Sequence, residues 1–244
     1  MDFTYLGYAR MLEKIAQKGY AFCSYSDYQP HSKACILRHD VDFDLEKAVS
    51  FAKREVKMAP GSCATYFVLL DTEFYNLCAS ENRRRLEQLQ LLGCKVGLHY
   101  DAPPGSPADA RMVEQILDQV ELLTKLAGQK IEAVSFHRPY RELLQADLQI
   151  PGIVNTYSDV FFHSFKYYSD SRMRWKENIL QDVDQQRFEH MQVLIHPFWY
   201  EEEKESMEDK LKRFASRASL ERYDLLNGNF TDLASVLSRD HFER

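Results

Sequence analysis

One apolar run ends Ile36-Leu37-Arg38-His39-Asp40-Val41-Asp42, and its two carboxylates stand two residues apart. On an extended chain that spacing turns both to the same face. Carboxylates so close repel unless a cation or a shared proton lies between them. A divalent metal relieves the repulsion, leaving one Asp as ligand and the other free to act as a base. The competing reading is a helix start capped by Asp42 or Asp44, which accounts for one carboxylate and leaves Asp40 without a purpose.

Three further runs end in chemistry-bearing residues. Val96-Gly97-Leu98-His99 puts an imidazole at the close of an apolar stretch, as a metal ligand or as a hydrogen-bonded edge residue. Ser135-Phe136-His137-Arg138-Pro139-Tyr140 ends at a proline that cannot donate to a ladder, so His137 and Arg138 fall at a sheet rim. Arg138 there is a surface charge or a group that orients a carboxylate. Val193-Leu194-Ile195-His196-Pro197-Phe198-Trp199-Tyr200 ends in an imidazole suited to proton donation. Trp199 and Tyr200 stack on a sugar ring or pack in the core.

The elements that must hold these residues alternate. Short apolar runs read as strands at Cys35–Val41, Cys63–Leu70, Cys94–Tyr100, Ile131–Phe136, Ile153–Tyr157 and Gln192–His196. Helical stripes lie around them. One is Tyr5, Tyr8, Leu12 and Ile15, ending at Gly19. The next is Leu45, Ala48, Val49, Ala52 and Val56. The third runs from Met112 to Leu123, with Ser106 read as its cap and Pro107 as its first residue. A last helix starts at Ser206, with Met207, Leu211 and Phe214 as its stripe. Strand–helix alternation implies a mainly parallel sheet, open or closed into a barrel, with its chemistry at the carboxyl ends of the strands.

The 244 residues carry a net charge of −6 and are 45% apolar, enough for one large α/β domain over 1–244. The basic residues are scattered apart from Arg83-Arg84-Arg85, which reads as an exposed helix face, so nucleic acid is not an expected partner. No run is long enough to span a bilayer. The opening Met1-Asp2-Phe3-Thr4-Tyr5 lacks the features of a secretory signal, so the expected location is cytoplasmic. Five cysteines without a Cys-x-x-Cys pair read as buried reduced thiols.

In their order along the chain these motifs resemble the polysaccharide deacetylases, carbohydrate esterase family four, from about Ile36 to Tyr200. The resemblance implies a distorted (β/α) barrel of about seven mainly parallel strands. It implies Asp40 as catalytic base, Asp42 and His99 as metal ligands, and Arg138 as the group holding the base. It further implies that Tyr140 supplies a backbone N–H to the oxyanion and that His196 is the general acid; Trp199, where it stacks on a sugar, is the expected substrate contact. Tyr168-Ser169-Asp170-Ser171, with Trp175, corresponds to the motif that buttresses Arg and His, giving Asp170 that part. One departure stands out: Pro103 occupies the place of a second metal His. The third ligand is then His137, Asp101 or His163, and the strand-rim position beside Arg138-Pro139 favours His137.

The implied activity is metal-dependent removal of an acetyl group from an N- or O-acetylated sugar, with zinc as the expected metal and cobalt or manganese as alternatives. The expected setting is surface polysaccharide (O-antigen or capsule) biosynthesis, with a glycan precursor as substrate. The alternatives are an amidohydrolase acting on a cyclic amide or ureide, and a carbohydrate-binding relative without turnover.

Overall fold

A computed structural model describes residues 1–62 and 64–242 of the chain. They form two compact units, 1–202 and 203–244. The first unit holds every site residue named above.

Its frame is an eight-stranded sheet in which each pairing is parallel. The strands are β1 (Ala21–Cys23), β2 (Ala34–Val41), β3 (Thr65–Leu69), β4 (Lys95–Asp101), β5 (Ala133–His137), β6 (Val154–Asn155), β7 (Lys166–Ser169) and β8 (His190–Ile195). They run in the order β6-β5-β4-β3-β2-β8-β7, with short β1 beside the start of β2. The sheet curls into a distorted (β/α) barrel. Gln192 of β8 crosses its interior: its amide donates to the carbonyls of Thr156 (3.1 Å) and Phe161 (2.9 Å), and its oxygen accepts from the Tyr25 hydroxyl at 2.5 Å.

Helices α1 (Tyr5–Gln17), α2 (Leu45–Met58), α3 (Ser80–Leu91), α4 (Ala110–Ala127), α5 (Arg141–Gln145) and α6 (Ile179–Asp184) complete this unit. Tyr5, Tyr8, Leu12 and Ile15 are buried as their spacing requires, and so are Leu45, Ala48, Val49 and Ala52 of α2. Two sets of apolar side chains result. The larger joins strand residues such as Leu37, Val68 and Leu98 to the helices. The smaller gathers Cys23, Tyr25, Ala34, Ile36, Phe67, Ala133, Phe161 and Phe165. Gly97 belongs to that second region by necessity, because a Cβ there would meet the Phe67 ring at 2.4 Å. The ring thus lies against bare backbone, and the Arg38 guanidinium sits 5.6 Å from its centre.

Several sequence expectations need correction. The cap of α4 is Asp109, whose carboxylate accepts from the N–H groups of Arg111 (3.0 Å) and Met112 (3.1 Å); Ser106 and Pro107 remain in the preceding loop. Strands β1 and β7 and helices α5 and α6 carry too weak a periodicity to have been read, whereas Arg83 and Arg84 lie exposed on helix α3 as expected. Cys23, Cys35 and Cys94 are buried thiols, but Cys78 is exposed in the loop leading to α3. Cys63, read as a buried thiol opening a strand, lies outside the described residues.

The second unit contains α7 (Met207–Asn227), capped by Ser206 as expected. Its stripe differs from the reading: Met207 and Leu211 are exposed, and the buried residues of the helix are Lys210 and Tyr223. No helix among the described residues is long and apolar enough to cross a membrane.

Candidate metal centre and its flanking acid and base

Strand parity builds the site. Arg38, Asp40 and Asp42 alternate onto one face of β2 and the residue after it. Register places Leu69 beside His99, His99 beside Ser135, and Asp101 beside His137. The side chains that converge are therefore those at carboxyl ends of neighbouring strands.

Asp42, His99 and His137 meet there, the one group among the described residues that could hold a metal ion. Their donor atoms form a nearly equilateral triangle. Asp42 Oδ1 is 3.2 Å from His99 Nε2 and 3.4 Å from His137 Nδ1, and the two nitrogens are 3.2 Å apart. Ligands about 2.0–2.1 Å from a tetrahedral zinc stand about 3.3 Å from one another, so the spacing suits such an ion. Asp42 Oδ1 is buried and lacks a hydrogen bond of acceptable geometry despite both imidazoles beside it. A cation shared by the three atoms would satisfy it.

The surroundings of His99 fit the same assignment. Its Nδ1 lies 2.6 Å from Ser135 Oγ, and that hydroxyl donates toward Asp40 Oδ1 at 3.5 Å. With its hydrogen directed to Asp40, the serine oxygen accepts from Nδ1–H. The tautomer so fixed leaves the Nε2 lone pair facing Asp42 and His137.

Asp40 is gripped by Arg38, not by Arg138. Arg38 Nε donates to Oδ1 at 2.9 Å and Nη2 to Oδ2 at 2.7 Å, both side chains being almost wholly buried. Nη2 also donates to the Tyr157 hydroxyl at 3.0 Å, and the guanidinium lies 4.5 Å from that ring's centre. Burial alone would push the Asp40 carboxyl up; Arg38 first, then His99, reverses this and holds it below its ordinary value. Arg138 is 74% exposed and pairs with Asp101 at 2.6 Å. Its φ of 47° turns it away at the end of β5, ahead of Pro139, which explains why its side chain reaches the rim instead of Asp40.

His196 faces the triangle from β8, with Nε2 3.8 Å from Asp42 Oδ2. Fully buried Asp170 accepts from His196 Nδ1 at 2.6 Å and from its backbone N–H at 3.0 Å. Burial lowers the imidazole's pKa, but Asp170, with Asp42 and Asp40 behind it, raises the value to about 9. Nε2 thus carries a proton at neutral pH and points it at the triangle.

The remaining expectations fall elsewhere. Asp101 is taken by Arg138, and His163 is exposed beside Asp159, so neither joins the triangle. Asp44 caps α2 through the Lys47 N–H at 2.9 Å, leaving Asp42 free of that duty. Tyr140 stands at the start of α5, its hydroxyl on the Ser106 carbonyl. Trp199 is 6% exposed and packed among Phe43 and Phe198, which makes it core and not a stacking surface. Arg38, Ser135 and Tyr157 went unread. Arg38 was legible by parity with Asp40, and Ser135 by parity with His137.

No family model matches the sequence, and no curated protein does so. Among solved structures, a peptidoglycan deacetylase, PdaC from Bacillus subtilis, is 16% identical with a TM-score of 0.44, over 83% of this chain and all of that one. A Streptococcus pyogenes deacetylase, PplD, in complex with acetate, is 16% identical with a TM-score of 0.43, over 78% of this chain and 80% of that one. A mutant of BA3943, a CE4 family pseudoenzyme with restored enzymatic activity, is 17% identical with a TM-score of 0.43. The alignment spans 78% of this chain and 65% of the BA3943 chain.

Proposed function

We propose that the chain is a metal-dependent deacetylase, a divergent relative of carbohydrate esterase family four, acting on an N- or O-acetylated sugar. The observation that carries this reading is the near-equilateral donor triangle of Asp42, His99 and His137, flanked by an anchored carboxylate and an anchored imidazolium. Zinc suits the donor set best, with cobalt or manganese as substitutes. When bound, the ion supplies a Lewis acid for the acyl carbonyl.

The protein's own residues do the proton work. Asp40 takes a proton from the attacking water, and Arg38 keeps the carboxylate ionised and aimed. His196 gives its Nε2 proton to the departing nitrogen or oxygen of the sugar, and Asp170 holds the ring in position for it. The water's oxygen ends in acetate, and the sugar leaves as amine or alcohol. The residues assigned to this work all come from 1–202, within a chain we treat as one catalytic domain. A glycan precursor of a surface polysaccharide fits the family resemblance as substrate.

Elemental analysis of protein purified without chelator tests the proposal. About one equivalent of metal is expected, lost in Asp42→Ala, His99→Ala and His137→Ala, together with acetate release from acetylated sugars. A wild type that takes up no Zn²⁺, Co²⁺ or Mn²⁺ refutes it.

A further inference from the structure

The inward faces of the strands have a second end. Alternation carries the face that presents His99 and His137 back through Gly97 and Ser135 to Lys95 and Ala133, which open β4 and β5. Thr65 opens β3 on the face it shares with Phe67. At about 3.3 Å per residue, Lys95 lies about 13 Å down the strand from His99. The buried Phe67 ring, close against Gly97, occupies the barrel between the two ends. At the amino-end mouth lies a cavity of about 320 Å³, bounded by Tyr25, Thr65, Lys95, Ala133 and Val154. Lys130 and Glu132, in the approach to β5, stand at its edge.

The lining divides by chemistry. Inside, Ala133 is buried and Val154 packs against the same apolar set. The Tyr25 hydroxyl is engaged with Gln192 within the barrel, so Tyr25 gives the cavity ring surface. That ring is fixed by Phe67 at 6.2 Å and Phe161 at 4.9 Å, both edge-on to it. Walls of this kind receive the apolar body of a ligand, while a few polar groups fix its orientation. At the edge, Lys95 Nζ donates to Glu132 Oε2 at 2.8 Å and to Ser26 Oγ at 3.4 Å. Lys95 first, and Lys130 after it, hold the Glu132 carboxyl below its ordinary value. Lys95 answers that carboxylate directly, whereas Lys130 makes no ion pair among the described residues. Positive charge thus exceeds negative by one at the mouth, and the surplus is on Lys130.

We infer that the amino-end mouth of the barrel is a second binding site, for a small aromatic carboxylic acid whose ring enters between Tyr25, Ala133 and Val154 and whose carboxylate stays on Lys130. A volume of about 320 Å³ is at the small end of ligand sites, which suits a single ring and not an oligosaccharide. An aromatic body meets the Tyr25 ring in the edge-to-face or offset arrangements that such pairs favour. The site shares no residue with the metal centre, so it stands whether or not that centre removes acetyl groups.

Saturation-transfer difference NMR on the full chain tests it, with benzoate, benzyl alcohol and benzylammonium as probes. Carboxylates also bind metal ions, so spectra are taken on wild type and on Asp42→Ala, its fold checked by circular dichroism. Saturation of the benzoate ring is expected in both proteins, stronger than that of benzyl alcohol and at least fivefold stronger than that of benzylammonium. It falls at least fivefold in Lys130→Glu, an exposed position that the fold tolerates, and in Ala133→Phe, which fills the cavity. Where Ala133→Phe does not fold, Lys130→Glu carries the test. Lys212→Glu, at an exposed lysine of the second unit, changes nothing. No benzoate saturation in wild type, saturation that disappears in folded Asp42→Ala, or saturation indifferent to Lys130→Glu overturns the site. Benzylammonium saturated as strongly as benzoate overturns its assignment to a carboxylate.

Discussion

Replacing Arg38 with Met removes the guanidinium that touches Asp40 while keeping most of the apolar stem against Phe67 and Tyr157. Asp40 loses two hydrogen bonds, at 2.9 and 2.7 Å, in a place nearly closed to water. Hydrogen bonds to charged groups contribute about 1.5–3 kcal/mol each, and breaking a buried ion pair from one side costs about 3–5 kcal/mol. A loss of about 3–5 kcal/mol in urea unfolding is therefore expected for Arg38→Met. Arg138→Met, at an exposed position, stays within about 0.5 kcal/mol. The double variant Arg38→Met with Asp40→Asn recovers part of the loss, because no charge is then left unpaired.

The same substitution has a kinetic sign. With Arg38 present, the carboxyl is held below its usual range, so Asp40, the proposed base, is ionised at neutral pH and is lost only as pH falls through that depressed value. Without Arg38, burial pushes the pKa up unopposed by its main counterweight, and the acidic limb of the pH–rate profile moves to higher pH. Raising the pH then restores part of the rate, which a merely misfolded variant would not show. Where Arg38→Met yields too little folded protein, Arg38→Lys keeps the charge but loses the paired geometry, and it shows a smaller shift in the same direction. An Arg38→Met protein destabilised by less than about 1 kcal/mol, with its acidic limb unmoved, would refute the assignment of Arg38 as the anchor of the base.

Other outcomes follow from the same geometry. Ser135→Ala frees the His99 tautomer, so metal dissociation constants measured by competition with a chelator should rise about 10–100-fold with the fold intact. Trp199→Ala should cost about 3–5 kcal/mol in unfolding experiments, as a core truncation does. In metal-free protein, NMR titration should place His196 near 9, falling in Asp170→Asn. Because that value lies above the unfolded one of about 6.5, the stability it contributes is complete below about 6.5 and disappears as pH rises through about 9. Urea midpoints of wild type and Asp170→Asn should thus differ at pH 6 and draw together at pH 10.

Much of this was readable beforehand because period two is unforgiving. Once Ile36–Asp42 is a strand, Asp40 and Asp42 must share a face, and imidazoles ending other apolar runs must gather at the same rim. The helices with clean stripes, α1 and α2, were equally legible. What failed is instructive in its causes. Arg38 looked like an interruption of an apolar strand and not a member of the site, although its parity with Asp40 was in view. The proximity of Arg138 to Pro139 suggested a holding role, but a positive φ set its side chain outward, and no spacing rule reports φ at a non-glycine residue. Trp199 and Phe198 are adjacent in sequence, and only packing decides which ring faces the core. Strand β7 has four residues, Lys166–Ser169, and alternation over so short a run carries little signal, yet it delivers Asp170 to His196.

Charge supplies an argument for the metal independent of distance. Three carboxylates, Asp40, Asp42 and Asp170, stand in the site, and two cations answer them: Arg38 takes Asp40, and protonated His196 takes Asp170. Asp42 is left facing two imidazoles and the far edge of His196. Burial raises the Asp42 carboxyl, but His137, His99 and His196 outweigh it and hold it well below the ordinary value, so its charge faces the triangle. A cation in the triangle would answer that charge. It also turns a local excess of one negative charge into an excess of one positive charge, the sign that favours a carbonyl oxygen gaining electrons.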